Sequence, residues 1–419
     1  MFALRAGSGW SPERRVCAGA LERVGVPEYD VLIAGASFAG IAVARALLEG
    51  GGTGSRVLLV DRKPVGEGQT SACAAPVGLV RRMGAGASIL QEHDHLVFHT
   101  PTGSARWTLP DPFCTFEYRR FCHDALAGLN LEVEVLPVAG VEGQDVLTPR
   151  GRLRARFLVD CTGWRSVLAR SLRSPPSPWL ALGVETEVPY QMPPGLHFYF
   201  LPEVRVGYAW AFPCGGTVRF GVLRYCGKGR GLAPRLPGER KLLHVLEEFL
   251  KRFGLRPSST IHGGFLRGGL HPPVRDRLFL VGDAAGHCLP LSGEGIRTAV
   301  QAGWMCGTLL REVLVGRLDV ETAKAVYSGF IARQRLRYAV LGGMEALVRI
   351  LSPRAIGLLL RATRWPFLQQ AFLHHYFALF EEDSLSPRGP INEVNPGSAK
   401  AAGAGRGSRT PKGLGPSGF

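Results

Sequence analysis

Between Tyr29 and Asp61 the sequence runs through an apolar strand, a glycine turn, a helix and a second apolar strand ending in an acid. Few folds accept that order. The run Asp30-Val-Leu-Ile-Ala34 has the length and composition of a buried strand, and Ile41 to Leu48 reads as a helix. Between them, Gly35-Ala-Ser-Phe-Ala-Gly40 places Gly35 and Gly40 at the outer glycines of a G-x-G-x-x-G pattern, with Ser37 at the middle position. Gly35 permits the tight turn and Gly40 the close approach of helix to strand, so helix amides face a pyrophosphate. Ser37, Phe38 and Ala39 complete this cofactor-binding turn. Asp61 follows Gly40 by 21 residues, where a carboxylate accepts from a ribose hydroxyl, and Arg62 stands beside it. A plain strand–turn–helix would not need an acid at the end of an apolar strand.

Composition narrows the class. In 419 residues, 46% are hydrophobic and 20% charged, which excludes a mainly disordered or fibrous chain. Fifty Lys+Arg against 34 Asp+Glu give +16, a balance that suits acidic partners. Its distribution argues against nucleic acid. Residues 331–380 hold seven arginines and one acid, and 396–419 hold four basic residues and none. Neither stretch matches a recognised RNA or DNA module. Nine scattered cysteines without Cys-x-x-Cys give neither a disulfide framework nor a zinc ribbon. No apolar run reaches 18 residues. The expectation is a cytoplasmic protein with reduced thiols, probed at most at the membrane periphery.

A second constellation separates the dinucleotide possibilities. Leu278-Phe-Leu-Val-Gly282-Asp283-Ala-Ala-Gly286 ends a buried strand in an acid, and Pro290, Gly293 and Gly295 follow before a helix that starts near Ile296. This pattern, G-D-A-A-G-x-x-x-P-x-x-G-x-G, resembles the second flavin-binding motif of the hydroxylase-like FAD enzymes. The resemblance implies FAD, with Asp283 on its ribityl or pyrophosphate part and Gly293 and Gly295 beside the isoalloxazine. A helix starting there would favour anionic reduced flavin. It also implies that Arg119 lies near the phosphates, and it matches Asp160-Cys-Thr-Gly163 to the turn between the two flavin motifs. The Asp-x-x-Gly spacing departs from the hydroxylases' Asp-Gly.

On the substrate side, Tyr208, Trp210 and Phe212 alternate along one strand and so share a face. Tyr-x-Trp-x-Phe-Pro resembles the substrate-cavity motif of the FAD-dependent geranylgeranyl reductase family. Arg205 stands where that family's longer motif has proline. Cys73 falls where those enzymes carry a cysteine beside the flavin, followed here by Ala74, Ala75 and Pro76 instead of glycines. The resemblance spans roughly residues 29–303. It implies reduction of isolated prenyl double bonds by hydride from reduced flavin, with Tyr208, Trp210 and Phe212 binding the chain. Tyr208, Cys73 and His287 are the catalytic candidates for proton donation. The electron donor would be NADPH or another reductant, although no separate nicotinamide fingerprint is present. A prenylated small molecule or lipid is the expected substrate, and a monomer the expected assembly.

Alternatives are a flavin-dependent halogenase, an aromatic monooxygenase and a non-redox lycopene-cyclase-like use of flavin. The halogenase family resembles this chain at its Trp-x-Trp-x-Ile-Pro motif but needs a lysine, and none occurs between Lys63 and Lys228. His93, His95 and His99 share a strand face with no other ligand cluster to accompany them, so no metal is expected. Residues 331–380 interleave arginine with Trp365, Phe367, Phe372, Tyr376 and Phe377. They read either as a membrane-facing surface or as a solvated helical cap.

The expected architecture is α/β: a Rossmann-like FAD-binding domain with an inserted antiparallel β-sheet substrate domain and C-terminal helices. The division predicted is an extension over 1–27, a discontinuous cofactor domain over 28–92, 115–175 and 270–320, and a substrate sheet over 93–114 and 176–269. A helical region over 321–385 and a Gly/Ala/Ser/Pro-rich disordered tail over 386–419 complete it.

Overall fold

A computed structural model describes residues 28–50, 54–171, 179–204, 206–227, 239–363 and 365–378. The predicted N-terminal extension and the tail lie outside them. The cofactor unit is a sheet in which β1 (Tyr29–Ala34), β2 (Val57–Asp61), β6 (Glu132–Val135), β10 (Ala155–Asp160) and β17 (Leu278–Leu280) run parallel. Its order is β16-β17-β10-β1-β2-β6, with β16 (Val274–Arg275) antiparallel at the edge. Strands buried on both faces need apolar residues throughout, and Val31 to Ala34 and Val57 to Val60 are buried without interruption. Helix α1 (Phe38–Leu48) leaves β1 and packs against the long α6 (Ile296–Leu314). The two approach closely because α6 carries Gly303 and Gly307. A Cβ there would stand 2.7 Å from the Ala39 carbonyl oxygen and 2.4 Å from that of Val43. Helix α3 (Tyr118–Leu126) flanks α1, and β7 (Gly140–Glu142), β8 (Asp145–Thr148) and β9 (Gly151–Leu153) form a small meander.

The second sheet has eight strands in the order β15-β11-β14-β13-β12-β4-β5-β3. These are β3 (Ala74–Pro76), β4 (Ile89–Thr100), β5 (Gly103–Phe116), β11 (Trp179–Pro189), β12 (Leu196–Tyr199), β13 (Gly207–Pro213), β14 (Thr217–Gly227) and β15 (Ile261–Gly268). It reaches further than the sequence division: Ala74–Pro76, Ile89–Glu92 and Thr115–Phe116 belong to it. The β4–β5 hairpin turns at Pro101. Register shifts between Ile89 and Gln91 and between His93 and His95 break its alternation, which hides its full length from a period-two pattern.

Each face of this sheet has its own cover. Helix α5 (Glu239–Lys251) lays Leu242, Leu246, Phe249 and Leu250 on Val184, Ala209, Ala211, Phe220 and Val222. The opposite face carries Tyr208, Trp210 and Phe212 and receives Phe372, Leu373, Tyr376 and Phe377 from the C-terminal cap. That cap follows α7 (Val320–Ala332) and consists of α8 (Arg335–Ile350), α9 (Pro353–Ala362) and α10 (Pro366–Phe377). Short helices α2 (Val77–Arg82) and α4 (Val167–Ser171) complete the described elements.

Candidate active site

The two glycine motifs meet at one place. Gly35 takes φ +109°, and a Cβ there would lie 2.2 Å from the Cys161 carbonyl oxygen; a Cβ on Gly40 would lie 1.9 Å from that of Gly35. Only glycine fits either position. Behind this turn, Ser37 stands at the N-cap of α1 but makes no side-chain bond to the helix. Its Oγ instead accepts from Tyr118 Oη at 3.0 Å. The helix therefore keeps its first-turn amides without a side-chain cap, the arrangement that receives a phosphate. Asp61 accepts from the Ala36 N–H at 2.8 Å, so the acid that ends β2 also fixes the turn. Arg62 is exposed beside it. Arg119 is exposed one residue after Tyr118, and its aliphatic stem lies against Gly66.

Gly282, at φ +67°, sits between the first turns of α1 and α6: its Cβ would lie 3.1 Å from that of Ala39 and 3.5 Å from that of Ala299. Asp283 follows and is half-buried, and burial lifts its carboxyl to about 6. Its Oδ2 accepts from the Arg267 N–H at 3.1 Å. A carboxylate so poorly compensated suits a ligand that brings hydroxyl donors. Gly295 begins α6 as an N-cap with no side chain to offer, and Ile296 is buried behind it. An uncapped α1, an uncapped α6 and an under-satisfied Asp283 fit a flavin dinucleotide. Gly35, Gly40 and the Ser37–Ala39 turn would hold its pyrophosphate, and Asp283 and Gly293–Ile296 the flavin end.

The loop from buried Pro290 to Gly295 is fastened from two sides. From the sheet, Tyr208 Oη donates to the Ser292 carbonyl and Tyr225 Oη to that of Leu291. From the cap, Tyr376 Oη lies 2.6 Å from both Ser292 Oγ and Glu294 Oε2, and Tyr338 Oη donates to the His287 carbonyl. Glu294 also takes Arg297 Nε at 2.8 Å and Nη2 at 3.1 Å. Gly293, at φ +67°, is set 3.4 Å from Tyr208 Oη, measured from a Cβ in its place. The aromatic strand and the flavin-type loop are thus in direct contact.

Across the sheet, His262, Glu185, Gly221 and Trp210 form one row in register on β15, β11, β14 and β13. Trp210 lies flat over Gly221, whose missing side chain makes the room: a Cβ there would stand 2.0 Å from Cζ2 of the indole. The indole Nε1 donates to Glu185 Oε2 at 2.7 Å, and Glu185 Oε1 pairs with His262 Nε2 at 2.9 Å. Glu185 is 2% exposed, whereas the His262 side chain is 18% exposed and reaches Gln69 at 3.2 Å. One row further, Glu187 takes Arg219 Nε at 2.8 Å, and Arg219 Nη1 donates to the Ala72 and Phe116 carbonyls. This charged row was missed in the sequence. Its only signal there is the pair of acids at Glu185 and Glu187 in an otherwise apolar strand.

The catalytic candidates separate. Tyr208 is on the wall, with burial holding its hydroxyl protonated. Cys73 is fully buried, its thiol pushed well up by burial, and its backbone takes a left-handed φ of 50°. Such strain in a non-glycine residue costs roughly 1–2 kcal/mol. Cys73 belongs to the same buried cluster as Phe38, Tyr118 and Ile296. His287 does not suit proton donation. It is fully buried, burial drives its imidazole down to about 3, and its Nδ1 accepts from the Gly282 N–H at 3.1 Å. That histidine fixes the turn. The strand histidines are likewise occupied structurally: His93 meets the Pro213 carbonyl, His95 meets Asp94, and His99 meets His197. Among the described residues no three His, Cys, Asp or Glu side chains are grouped to hold a metal.

No family model matches the chain. Among characterised relatives, the digeranylgeranylglycerophospholipid reductase of Methanococcus vannielii is 31% identical over 120 residues, which is 27% of this chain and 28% of that protein. Digeranylgeranylglycerophospholipid reductase 3 of Methanosphaera stadtmanae is 24% identical over 352 residues, 73% of this chain and 83% of that one. Over these stretches the chain is similar in sequence to digeranylgeranylglycerophospholipid reductases. The relationship is short where it is strongest, since the match spans under a third of the Methanococcus enzyme's length. A solved geranylgeranyl bacteriochlorophyll reductase-like protein of Thermoplasma acidophilum superposes with a TM-score of 0.72 at 16% identity, covering 84% of this chain and 96% of that one. A flavin-dependent brominase superposes at 0.65 with 14% identity, covering 83% and 92%. The fold is that of these flavoproteins, and within it geranylgeranyl reductases and halogenases share one scaffold.

Proposed function

We propose that this chain binds FAD and reduces carbon–carbon double bonds in a geranylgeranyl or similar prenyl chain carried by a lipid. The observation that carries this reading is the aromatic wall of Tyr208, Trp210 and Phe212 fastened to the Ser292–Gly295 loop. It provides an apolar surface for an unfunctionalised chain next to the place a flavin ring would occupy. The names of the sequence relatives support the same chemistry. When bound, reduced FAD supplies a hydride to one alkene carbon; NADPH or another reductant regenerates it.

The chain's own residues do the rest. Tyr208, Trp210 and Phe212 align the alkene and exclude water, which keeps a carbocation-like transition state from capture. A proton must reach the other alkene carbon. Beside the wall, the Glu185–His262 pair is the acid–base couple placed to deliver it, with His262 open enough to be recharged from solvent. Cys73 and Tyr208 hold their protons and line the route. We further infer a cytoplasmic monomer that visits the membrane surface, where prenyl lipids reside. No helix among the described residues is long and apolar enough to cross a membrane.

The test is anaerobic. The bound flavin is reduced, geranylgeranyl compounds are added, and flavin reoxidation is followed together with product mass. The proposal requires reoxidation with a gain of two hydrogens per bond. Productive reoxidation only by oxygen with halide, or with an aromatic substrate, would instead favour the halogenase or monooxygenase reading that the brominase-like fold allows.

A further inference from the structure

The exposed apolar residues of this molecule collect in one region. Of thirteen large hydrophobic side chains exposed among the described residues, nine lie between Leu336 and Leu368. On α8 they form a stripe. Leu336, Val340, Leu347 and Ile350 recur at helical spacing on the side opposite the buried Tyr338, Leu341 and Glu345. Leu336 and Ile350 are 75% and 79% exposed. Leu358 and Leu359 continue the surface on α9, and Trp365, Phe367 and Leu368 at the start of α10. A cap that met only water would put polar residues on that side, since its inner side already supplies the core.

The charge beside this surface has one sign. Arg335, Arg337, Arg349, Arg354 and Arg361 belong to α8 and α9, and the single acid of the two helices, Glu345, is buried and paired with Arg349 at 3.2 Å. Leucine, tryptophan and phenylalanine flanked by arginine is the composition of an interfacial helix. At one end of the stripe, Ile350, Pro353 and Ile356 face Phe200, Val206 and Gly207 across a cleft of about 370 Å³. The Phe200 ring lies 6.5 Å from that of Tyr208, a member of the aromatic wall.

We propose that the outer face of α8, α9 and the start of α10 docks on an anionic phospholipid bilayer, and that the Ile350–Phe200 cleft is where a prenyl chain leaves it for the wall. The apolar stripe sits among acyl chains and the arginines among headgroup phosphates. The cleft then lets the chain reach Tyr208 without crossing water. This inference rests on the prenyl-lipid reading and gives it a route.

The test uses the full chain and sedimentation with vesicles of phosphatidylglycerol or of phosphatidylcholine. Binding is expected to phosphatidylglycerol, more weakly to phosphatidylcholine, and to decline with salt. Arg335→Gln and Arg354→Gln should each weaken phosphatidylglycerol binding by about fivefold. The double variant Ile350→Glu/Phe367→Glu should lose at least tenfold on both lipids, with melting temperatures unchanged because all four side chains are exposed. Absent vesicle binding, or equal binding by the wild type and the double variant, overturns the proposal. So does a concentration-dependent dimer that the double variant abolishes without vesicle binding, which would assign this face to a second copy of the chain. Vesicle binding needs neither flavin nor turnover. A failure here leaves the anaerobic assay to judge the reductase reading separately.

Discussion

Substituting Gly307→Ala sets two physical effects against each other. In an unhindered helix interior, alanine is favoured over glycine by about 1 kcal/mol. Here the added Cβ would meet the Val43 carbonyl oxygen at 2.4 Å and the Ala46 Cβ at 2.9 Å. Ordinary contact requires separations near 3.4 Å or more, so α6 would have to retreat from α1 by about 1 Å locally. Overpacking of this kind costs about 1–3 kcal/mol, and the net expectation is destabilisation by up to about 2 kcal/mol. Because α1 and α6 both begin at the cofactor cradle, the same displacement should loosen FAD more than it lowers stability. Gly343→Ala on α8 is the control, since a Cβ there meets nothing within 4 Å. Thermal melts of the apo and FAD-loaded proteins, with flavin content after gel filtration, read both effects. Gly343→Ala should raise the melting temperature by about 1 °C, and Gly307→Ala should lower it and shed flavin. A Gly307→Ala protein that melts higher and keeps its FAD would refute the claim that close helix contact shapes the site.

Asp283→Asn should trade stability against cofactor. The folded pKa of Asp283 lies near 6, above the usual carboxylate value. The apo protein therefore gains stability from this group as pH falls through 6, and the ionised carboxylate costs up to about 2–3 kcal/mol at pH 7. The asparagine variant should melt higher without FAD yet bind it more weakly, and wild-type affinity should drop below pH 6 as the acceptor protonates; fluorescence titration from pH 5 to 8 checks both. Tyr208→Phe removes one tether of the Ser292 carbonyl at a cost of about 1 kcal/mol, and should slow prenyl-dependent reoxidation while FAD is retained. Glu185→Gln should slow proton delivery more than chain binding, seen as a reduced rate with little change in half-saturating substrate and a larger solvent deuterium effect. Gly221→Ala should tilt the Trp210 indole and raise half-saturating substrate without altering flavin content.

What was legible depended on distance along the chain. The strand–turn–helix at Asp30–Leu48, the acid at Asp61 and the helix at Tyr118–Leu126 are local patterns, and their periods survive into the fold. Leu147 to Leu153 has the apolar ends of a single strand but belongs to a hairpin, Asp145–Thr148 and Gly151–Leu153, because the turn through Pro149 reverses it. The Glu185–His262 pair and the tyrosine tethers were invisible. Partners 51 to 84 residues apart meet only after two sheets and a cap have assembled, and no spacing rule encodes that. The C-terminal aromatics also divide in a way composition does not reveal: Phe372, Tyr376 and Phe377 pack on the aromatic wall, whereas Trp365 and Phe367 are exposed.

The tyrosine tethers bear on how such proteins can be recombined. Tyr338 and Tyr376 reach from the cap to the backbone and side chains of residues 287–294, so the cap is not a detachable module. A chimera that exchanged the cap for that of a halogenase would carry its new surface but lose the partners of Ser292 and Glu294. Functional exchange should succeed only when the loop and both tyrosines travel together as one inheritable unit.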